Sequence, residues 1–379
     1  MKKLLAFAII LTFVAGAAFA QVSGLIETRL YLVDVIMNDD PNPQIHGDIG
    51  AAYLQISGTN DDGTLGGRFR LRGTDVAFRG DNGWIYMAYA WWRPIQQVRI
   101  YLGIDQDGMF DTASIAGWAF HAGDNDYMFN HHWDFWRGIF PGNWDGFGLA
   151  FSFWPMEGLN LNLVVPVGGI GWPQATASQV RTKKDWEDMI FSLRLQGSYT
   201  IQDVGVIQFA YNMGDKDLTP QIAFQDGGHF GRIGLSFLLT SLDSMSILIG
   251  SSFVPYDGGD ILISPGVGFA YSGSSFGVKA RVGANIQGDS KQFINANVMP
   301  YFNLGPGQLM IDIGLSMQLD KDTDNLGWYA TPVFRLPVSG GTFSIGLQLY
   351  SNIKMGGNIE LSGNTDVTFR MPMLLRYSF

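Results

Sequence analysis

The chain has 379 residues and a formal net charge of −10 at pH 7, and 46% of its residues are hydrophobic but only 15% are charged. Because soluble domains usually carry about 25% charged residues, this composition argues against an ordinary soluble domain. The absence of cysteine excludes a disulfide framework. No phosphate-binding glycine loop or basic patch occurs, so no nucleic-acid partner is expected.

The first twenty residues have the three regions of a secretory signal peptide. Lys2 and Lys3 precede an apolar run, and the sequence Ala18-Phe19-Ala20 closes the segment with a small-residue cleavage pattern. A membrane anchor helix is the alternative, but the apolar run is short for a helix that spans a bilayer. We therefore predict a signal peptide over 1–20, export, and a mature chain over 21–379.

Eighteen strand candidates follow, with no linker that would divide the mature chain into domains. They lie at 22–36, 47–57, 65–78, 83–92, 97–104, 145–154, 159–165, 187–199, 204–212, 229–239, 244–254, 261–271, 276–287, 292–302, 309–319, 327–337, 342–351 and 366–379. Taken alternately, their connections form one set of short turns and one set that contains all the long loops, at 105–144, 166–186, 213–228 and 352–365. Bacterial barrels alternate short periplasmic turns with longer external loops in this way.

The strand candidates alternate between apolar and polar residues. In "LMIDIGLSMQL" every second residue is Leu, Ile or Met, and Asp312, Gly314, Ser316 and Gln318 lie between them. Such strands suit a closed barrel with one face in lipid and the other in water. We predict an all-β transmembrane antiparallel β-barrel of about 16 to 18 strands with an aqueous interior. A secreted β-sandwich or propeller is the soluble alternative, since these folds also alternate.

The C-terminal stretch "VTFRMPMLLRYSF" keeps an apolar face to its last residue. A terminal Phe379, with Tyr377 two residues before it, resembles the C-terminal signature of bacterial outer-membrane β-barrels. The resemblance implies an outer-membrane location, and it implies that the barrel-assembly machinery reads Tyr377 and Phe379 as an assembly signal. Among these barrels, the length of the chain and the lack of room for a plug segment favour the porins. A resemblance to porins implies outer-membrane lipid and small hydrophilic solutes as partners, with a homotrimer as one oligomeric state.

Basic residues recur on the face that the alternation turns inward. Arg68, Arg70 and Arg72 alternate with Phe69 and Leu71 in the third strand, and arginines that face lipid would cost roughly 2 to 4 kcal/mol each near the midplane. The same parity turns a further set inward, namely Arg99, Arg194, Arg232, Lys279, Arg281, Arg335 and Arg370.

The longest connection, 105–144, is acidic and aromatic. It contains a single Arg, no Lys and six aspartates, namely Asp105, Asp107, Asp111, Asp124, Asp126 and Asp134. The resemblance to general porins implies that this loop folds inward, so these aspartates and the arginines 68, 70, 72 and 99 are predicted to form a pore constriction with a transverse field. The alternative is that the wall arginines pair with strand carboxylates such as Glu27 and only hold the barrel in shape.

Tryptophans admit two interpretations. Five of them lie near strand ends and are predicted to form interface girdles, namely Trp84, Trp91, Trp92, Trp154 and Trp328. Four more lie in the long loop, where they form either a small loop core or a sugar path, namely Trp118, Trp133, Trp136 and Trp144.

Catalytic and metal chemistry are not expected. Catalysis would need a histidine held beside a nucleophile or an acid, yet four of the five histidines fall in predicted external loops, namely His46, His121, His131 and His132. His229 begins a strand with no Ser or Asp two residues away. We predict a porin for passive diffusion without cofactor or metal, and the alternatives are a substrate-selective sugar porin and a surface adhesin barrel.

Overall fold

The computed structural model describes residues 21–38, 41–73, 85–105, 146–169, 193–213, 231–255, 261–287, 291–320, 325–352, 361, 363 and 365–379. All regular structure in these ranges is β-strand. They include no α-helix that is both long enough and apolar enough to cross a bilayer.

The strands form one antiparallel sheet in which each strand pairs with its neighbours in the chain. Their bounds are β1 Gln21–Met37, β2 Gln44–Thr59, β3 Leu65–Gly73, β4 Ile85–Ile95, β5 Val98–Asp105, β6 Gly146–Met156, β7 Leu159–Gly169, β8 Arg194–Ile201, β9 Gly205–Met213, β10 Gly231–Leu242, β11 Met245–Pro255, β12 Ile261–Ser272, β13 Phe276–Gln287, β14 Lys291–Leu304, β15 Gly307–Asp320, β16 Asn325–Val338, β17 Gly341–Gly346, β18 Gln348–Ser351 and β19 Val367–Ser378.

Two of these segments, β17 and β18, are halves of one strand. Both pair with β16 and with β19, and only Leu347 separates them. Leu347 donates a backbone hydrogen bond to the carbonyl oxygen of Pro332, but Pro332 has no N–H to return one, and the ladder is interrupted there. The ring therefore has eighteen strands, and it closes because β1 pairs with both β2 and β19. This confirms the predicted closed antiparallel barrel; the predicted inward loop lies outside the described residues.

The two faces of the barrel differ as the alternation predicts. On β15 the outward side chains of Ile313 and Leu315 are 43% and 49% exposed, whereas the inward Asp312 and Ser316 are 5% and 2% exposed. Apolar side chains exposed on many strands would be unfavourable in water, but they suit the hydrocarbon of a bilayer. A closed ring also leaves no unpaired strand edge in lipid.

The inner face also contains large apolar side chains. Two groups of buried apolar residues lie there, one formed by Tyr89, Tyr101, Ala150 and Val164 with Trp91 against them, the other by Met299, Met310, Val333 and Leu374 with Tyr31 and Tyr301 against them. Parts of the inner wall therefore pack like a core.

A β-bulge near the C-terminal end of β1 changes which residues face inward. Tyr31 pairs with Pro372, but the next paired residues are Asp34 and Arg370, so β1 contains one residue more than β19 at this point. The extra residue moves the inward face from odd positions, such as Glu27, to even positions. Asp34 consequently faces inward.

The seam between β1 and β19 explains the apolar C-terminus. The N–H of Gly24 donates to the carbonyl oxygen of Phe379 over 2.7 Å, and the N–H of Phe379 donates to the oxygen of Gly24 over 3.1 Å. The ring of Phe379 covers Gly24, where a side chain would overlap it, and Tyr377 lies beside Phe379 with 6.2 Å between ring centroids. The last residue is thus part of the closure.

We expect Gly341→Ala to weaken the pairing of β17 with β19, on the other side of β19 from this seam. A Cβ at Gly341 would overlap the backbone oxygen of Arg376 on β19, and that oxygen cannot move without separating the strands. The expected loss is about 1 to 3 kcal/mol in the free energy of unfolding, measured by urea titration of the barrel in detergent.

The matched control is Gly63→Ala. Gly63 lies in a short turn with φ +67° and nothing near its Cβ position, so the same substitution costs only the left-handed backbone strain of about 1 kcal/mol. Equal destabilisation by the two variants would contradict the steric argument.

Candidate functional site

The arginines of β3 lie on the inner wall. Arg70 donates from Nε and Nη2 to Oε1 of Gln55, over 2.9 and 2.7 Å, and its guanidinium lies 4.6 Å from the centre of the Tyr53 ring. Arg68 lies 6.0 Å from the ring of the inward, buried Tyr89. The pairing of β3 with β2 and β4 therefore presents these guanidinium groups to the interior beside aromatic rings.

Arg99 on β5 lies among three aromatic side chains. Its guanidinium carbon is 4.7 Å from the ring centre of Trp91 and 5.6 Å from that of Trp154. Nη1 donates to the hydroxyl of Tyr101 over 3.1 Å. Aromatic faces attract a guanidinium cation, so this cluster presents a positive centre framed by flat apolar rings.

The placement of Trp91 and Trp154 corrects the girdle prediction. Both lie near strand ends, as expected, but both face inward with Arg99. Trp92 alone of the adjacent pair faces out, with 53% of its surface exposed. Since consecutive strand residues point to opposite faces, Trp91 and Trp92 cannot both lie in one girdle. Trp328 occupies an outward position on β16, and Trp84 lies outside the described residues.

A second group of arginines near the β1–β19 seam is held by carboxylates. Nη2 of Arg29 lies 2.9 Å from Oε1 of Glu27, and Nε of Arg376 lies 3.9 Å from Oε2 of the same carboxylate. Nε of Arg370 donates to Oδ1 of Asp34 over 2.8 Å. For these three arginines the structure shows pairing with strand carboxylates, which was the alternative considered for the wall arginines.

The structure also corrects the expectation for His46. Sequence analysis placed it in an external loop, whereas it lies in β2, where a bulge turns it inward. Its ring stacks on Tyr31 with 4.5 Å between centroids, and Nε2 lies 2.9 Å from Oδ2 of Asp34. The bulges in β1 and β2 together bring His46, Asp34 and Arg370 into one polar group.

A buried polar network on β13 to β16 was not anticipated beyond Arg281 itself. Nε of Arg281 donates to Oδ1 of Asn297, and Nδ2 of Asn297 donates to Oδ1 of Asp312 over 2.9 Å. The hydroxyl of Tyr329 donates to the same oxygen of Asp312 over 3.1 Å. Only the register between strands reveals this network, because its members are 15 to 17 residues apart in sequence.

The structure describes only some of the other predicted site residues. Lys279 and Arg335 pair with positions on the inner face. Arg72, Asp105, Arg194 and Arg232 belong to strands, but their side chains lie outside the described part of the chain. The aspartates of the long loop lie wholly outside it, namely Asp107, Asp111, Asp124, Asp126 and Asp134. The described residues include no group of three or more His, Cys, Asp or Glu side chains that could hold a metal ion.

No family model matches the sequence, and no curated protein matches it either. Solved structures do match along almost its whole length. The anion-selective porin from Comamonas acidovorans is 12% identical, with 95% of this chain and 99% of that one covered and a TM-score of 0.57. OmpF of Salmonella typhi, solved with daunomycin, is 12% identical, with 95% and 97% covered and a TM-score of 0.53.

The outer membrane channel DcaP of Acinetobacter baumannii is 10% identical, with 95% of this chain and 97% of that chain covered and a TM-score of 0.53. Identities this low show a common fold rather than a common solute. The chain has the fold of the bacterial outer-membrane porins.

Proposed function

We propose that residues 21–379, exported by a signal peptide at 1–20, form a water-filled channel for passive diffusion of small hydrophilic solutes across the outer membrane. One observation carries the proposal: a closed eighteen-strand ring exposes apolar side chains on its outside and directs polar ones to its inside. The outside suits lipid, and a barrel of about this strand number encloses more space than wall side chains alone fill.

The proposal includes no catalytic step. His46 is the one histidine within the described ranges, and its ring is engaged by Asp34 on one side and by Tyr31 on the other. Such a histidine holds wall strands together and lacks the nucleophile that a hydrolytic site requires. We assign it a structural role.

We further propose that the acidic loop 105–144 narrows the channel opposite Arg68, Arg70, Arg72 and Arg99. The inward positions of Arg68, Arg70 and Arg99 support this, because six aspartates and one arginine in the loop cannot be neutralised locally. Opposite charges across a narrow pore would create a field transverse to the path of solutes.

A second candidate function is a substrate-selective porin for sugars. The observation in its favour is the inward position of Trp91 and Trp154, with Tyr101 beside them around Arg99. Flat aromatic faces next to a hydrogen-bond donor suit a sugar ring, which is apolar on its faces and polar at its rim.

We propose three partners for this barrel. Outer-membrane lipid would contact the exposed apolar face, the barrel-assembly machinery would read Tyr377 and Phe379, and a homotrimer is the proposed oligomeric state. A surface adhesin barrel is the competing function, and it requires no open channel.

The channel proposal is tested by single-channel recording in a planar bilayer. We expect discrete conductance steps from the purified, full-length barrel. Maltose that reduces the current in the native protein, but not in Trp91→Ala, would favour the sugar-selective candidate. A correctly folded barrel without steps would contradict both channel functions and leave the adhesin.

The constriction is tested by two changes. Deleting residues 115–135 should raise the single-channel conductance, because it removes most of the loop from the pore. Replacing Arg68, Arg70 and Arg72 with Ala should shift the reversal potential in a salt gradient towards cation preference, because fixed positive charge at a narrow point excludes cations.

The control for charge is the triple replacement of the same arginines with Lys, which keeps the positive charge and changes the shape. It should retain the native reversal potential. Unchanged conductance after the loop deletion would show that the loop lies outside the pore.

The assembly signal is tested by comparing Phe379→Ala with Leu375→Ala. Both residues are apolar, outward and about half exposed, Leu375 on β19 and Phe379 directly after it. Each substitution removes apolar surface worth at most about 2 kcal/mol. We expect Phe379→Ala to reduce the amount of barrel in outer-membrane fractions much more than Leu375→Ala does. Equal amounts would argue that Phe379 acts only through its apolar surface.

A further inference from the structure

Arg281 is an unusually buried charge for the wall of a channel. It lies on β13, faces inward and is only 6% exposed. Its Nε is bound by Asn297, but Nη1 and Nη2 are buried and have no hydrogen-bond partner. A buried charged donor without an acceptor is strongly unfavourable, so these two N–H groups mark a place where an acceptor belongs.

The nearest carboxylate of the network does not satisfy them. Oδ1 of Asp312 already accepts hydrogen bonds from Asn297 and Tyr329. Among the described residues no carboxylate lies within ion-pair distance of Arg281. Asn297 thus binds Nε of the guanidinium. Nη1 and Nη2 remain, and these two nitrogens form the fork that binds a carboxylate or a phosphate.

A second unsatisfied donor lies at a neighbouring position of the same wall. Asn295 is the diagonal neighbour of Arg281 across β13 and β14, because Arg281 pairs with Asn297 and Gly283 pairs with Asn295. Oδ1 of Asn295 accepts a hydrogen bond from Ser316 over 2.5 Å, which fixes the orientation of the amide, and its Nδ2 is buried without a partner. Both side chains project to the same inner face.

Three strand positions next to these two donors carry no side chain. The partner of Arg281 on β12 is Gly268, and Gly283 pairs with Gly266 on that strand. These three glycines contribute no side chain that could either accept a hydrogen bond or separate the two donors. The register therefore leaves the N–H groups of Arg281 and Asn295 without an acceptor from these three positions.

From this arrangement we propose that Arg281 and Asn295 form a binding site for a small oxyanion, a carboxylate or a phosphate, on the inner wall of the barrel. Two oxygens of the anion accept from Nη1 and Nη2 of Arg281, and Nδ2 of Asn295 donates to one of them. This proposal adds a class of solute to the proposed channel function. Passage of the anion through the pore rests on that function, but binding at the site does not.

The position of the site in the ring fits this role. From β3 to β13 there are ten strand steps in one direction and eight in the other, so Arg281 lies across the barrel from Arg68 and Arg70. An anion that enters the interior would meet positive groups on both sides. A pore that offers several weak, positively charged sites can bind an anion and still release it.

The experiment is titration of the purified, full-length barrel in detergent with sodium phosphate, and separately with sodium succinate, at constant ionic strength. Isothermal calorimetry should show saturable binding, and the thermal unfolding temperature should rise with anion concentration. Arg281→Gln should weaken binding by about ten-fold or more, because it removes a charged two-point contact. Lys279→Gln, which removes one positive charge from the inner face of the same strand, serves as the matched control and should keep the binding.

Asn295→Asp is a second variant, and we expect it to stabilise the barrel while it abolishes binding. The new carboxylate can accept from the guanidinium in place of the anion, so we expect loss of phosphate binding together with a higher unfolding temperature. This keeps the test decisive if Arg281→Gln fails to fold, which heat-dependent gel mobility would reveal.

The acceptor could also be a carboxylate of the chain itself, from the acidic loop. Replacing the six aspartates of 105–144 with Asn distinguishes the two sources: phosphate affinity rises if a loop carboxylate competes for Arg281, and it stays unchanged if only mobile anions bind. No saturable binding by the native or the aspartate-free barrel, or equal binding by the native protein and Arg281→Gln, would overturn the proposal. A barrel that conducts without binding overturns this site alone, whereas binding without conductance overturns the channel function alone.

Discussion

The pairing of β1 with β19 is the constraint on which the rest of the structure depends. All other strand pairs in the described residues join segments adjacent in the chain, whereas this one joins its two ends, as in the contact of Thr28 with Leu375 across 347 positions. Without it, two strand edges would lie unpaired in lipid, which a bilayer does not tolerate. The buried carboxylate of Glu27, placed between two arginines, adds an electrostatic contact along the same seam.

Much of the fold could be predicted because lipid imposes its pattern on each strand independently. An outward residue must be apolar whatever its neighbours are, so the alternation in β13 and β15 identifies both the strands and their faces. The even number of strands and the closed ring follow from counting such segments. The split of one strand at Leu347 needs more than alternation, because it depends on Pro332 in the neighbouring strand.

The interior could be predicted only in part, since it depends on contacts between strands. The inward positions of Arg68, Arg70 and Arg99 follow from period two alone. Asp34 and His46 do not, because bulges in β1 and β2 shift that period. The network from Arg281 to Asp312 depends on register across three strands, and register is not visible in any one segment. Trp91 and Trp154 face inward because the alternation of the strand, and not nearness to its end, decides which face a side chain takes.

The order of the strands around the ring, which follows their order in the chain, also bears on how such a protein can change during evolution. Each hairpin contacts only its two neighbours, so a duplicated or deleted hairpin would alter the circumference while leaving every other pairing intact. Gain or loss of a single strand would make the first and last strands run parallel, so the antiparallel ladder that now joins them would be lost. Barrels of this design therefore change size in steps of two strands, and the seam remains the one junction that every new size must preserve.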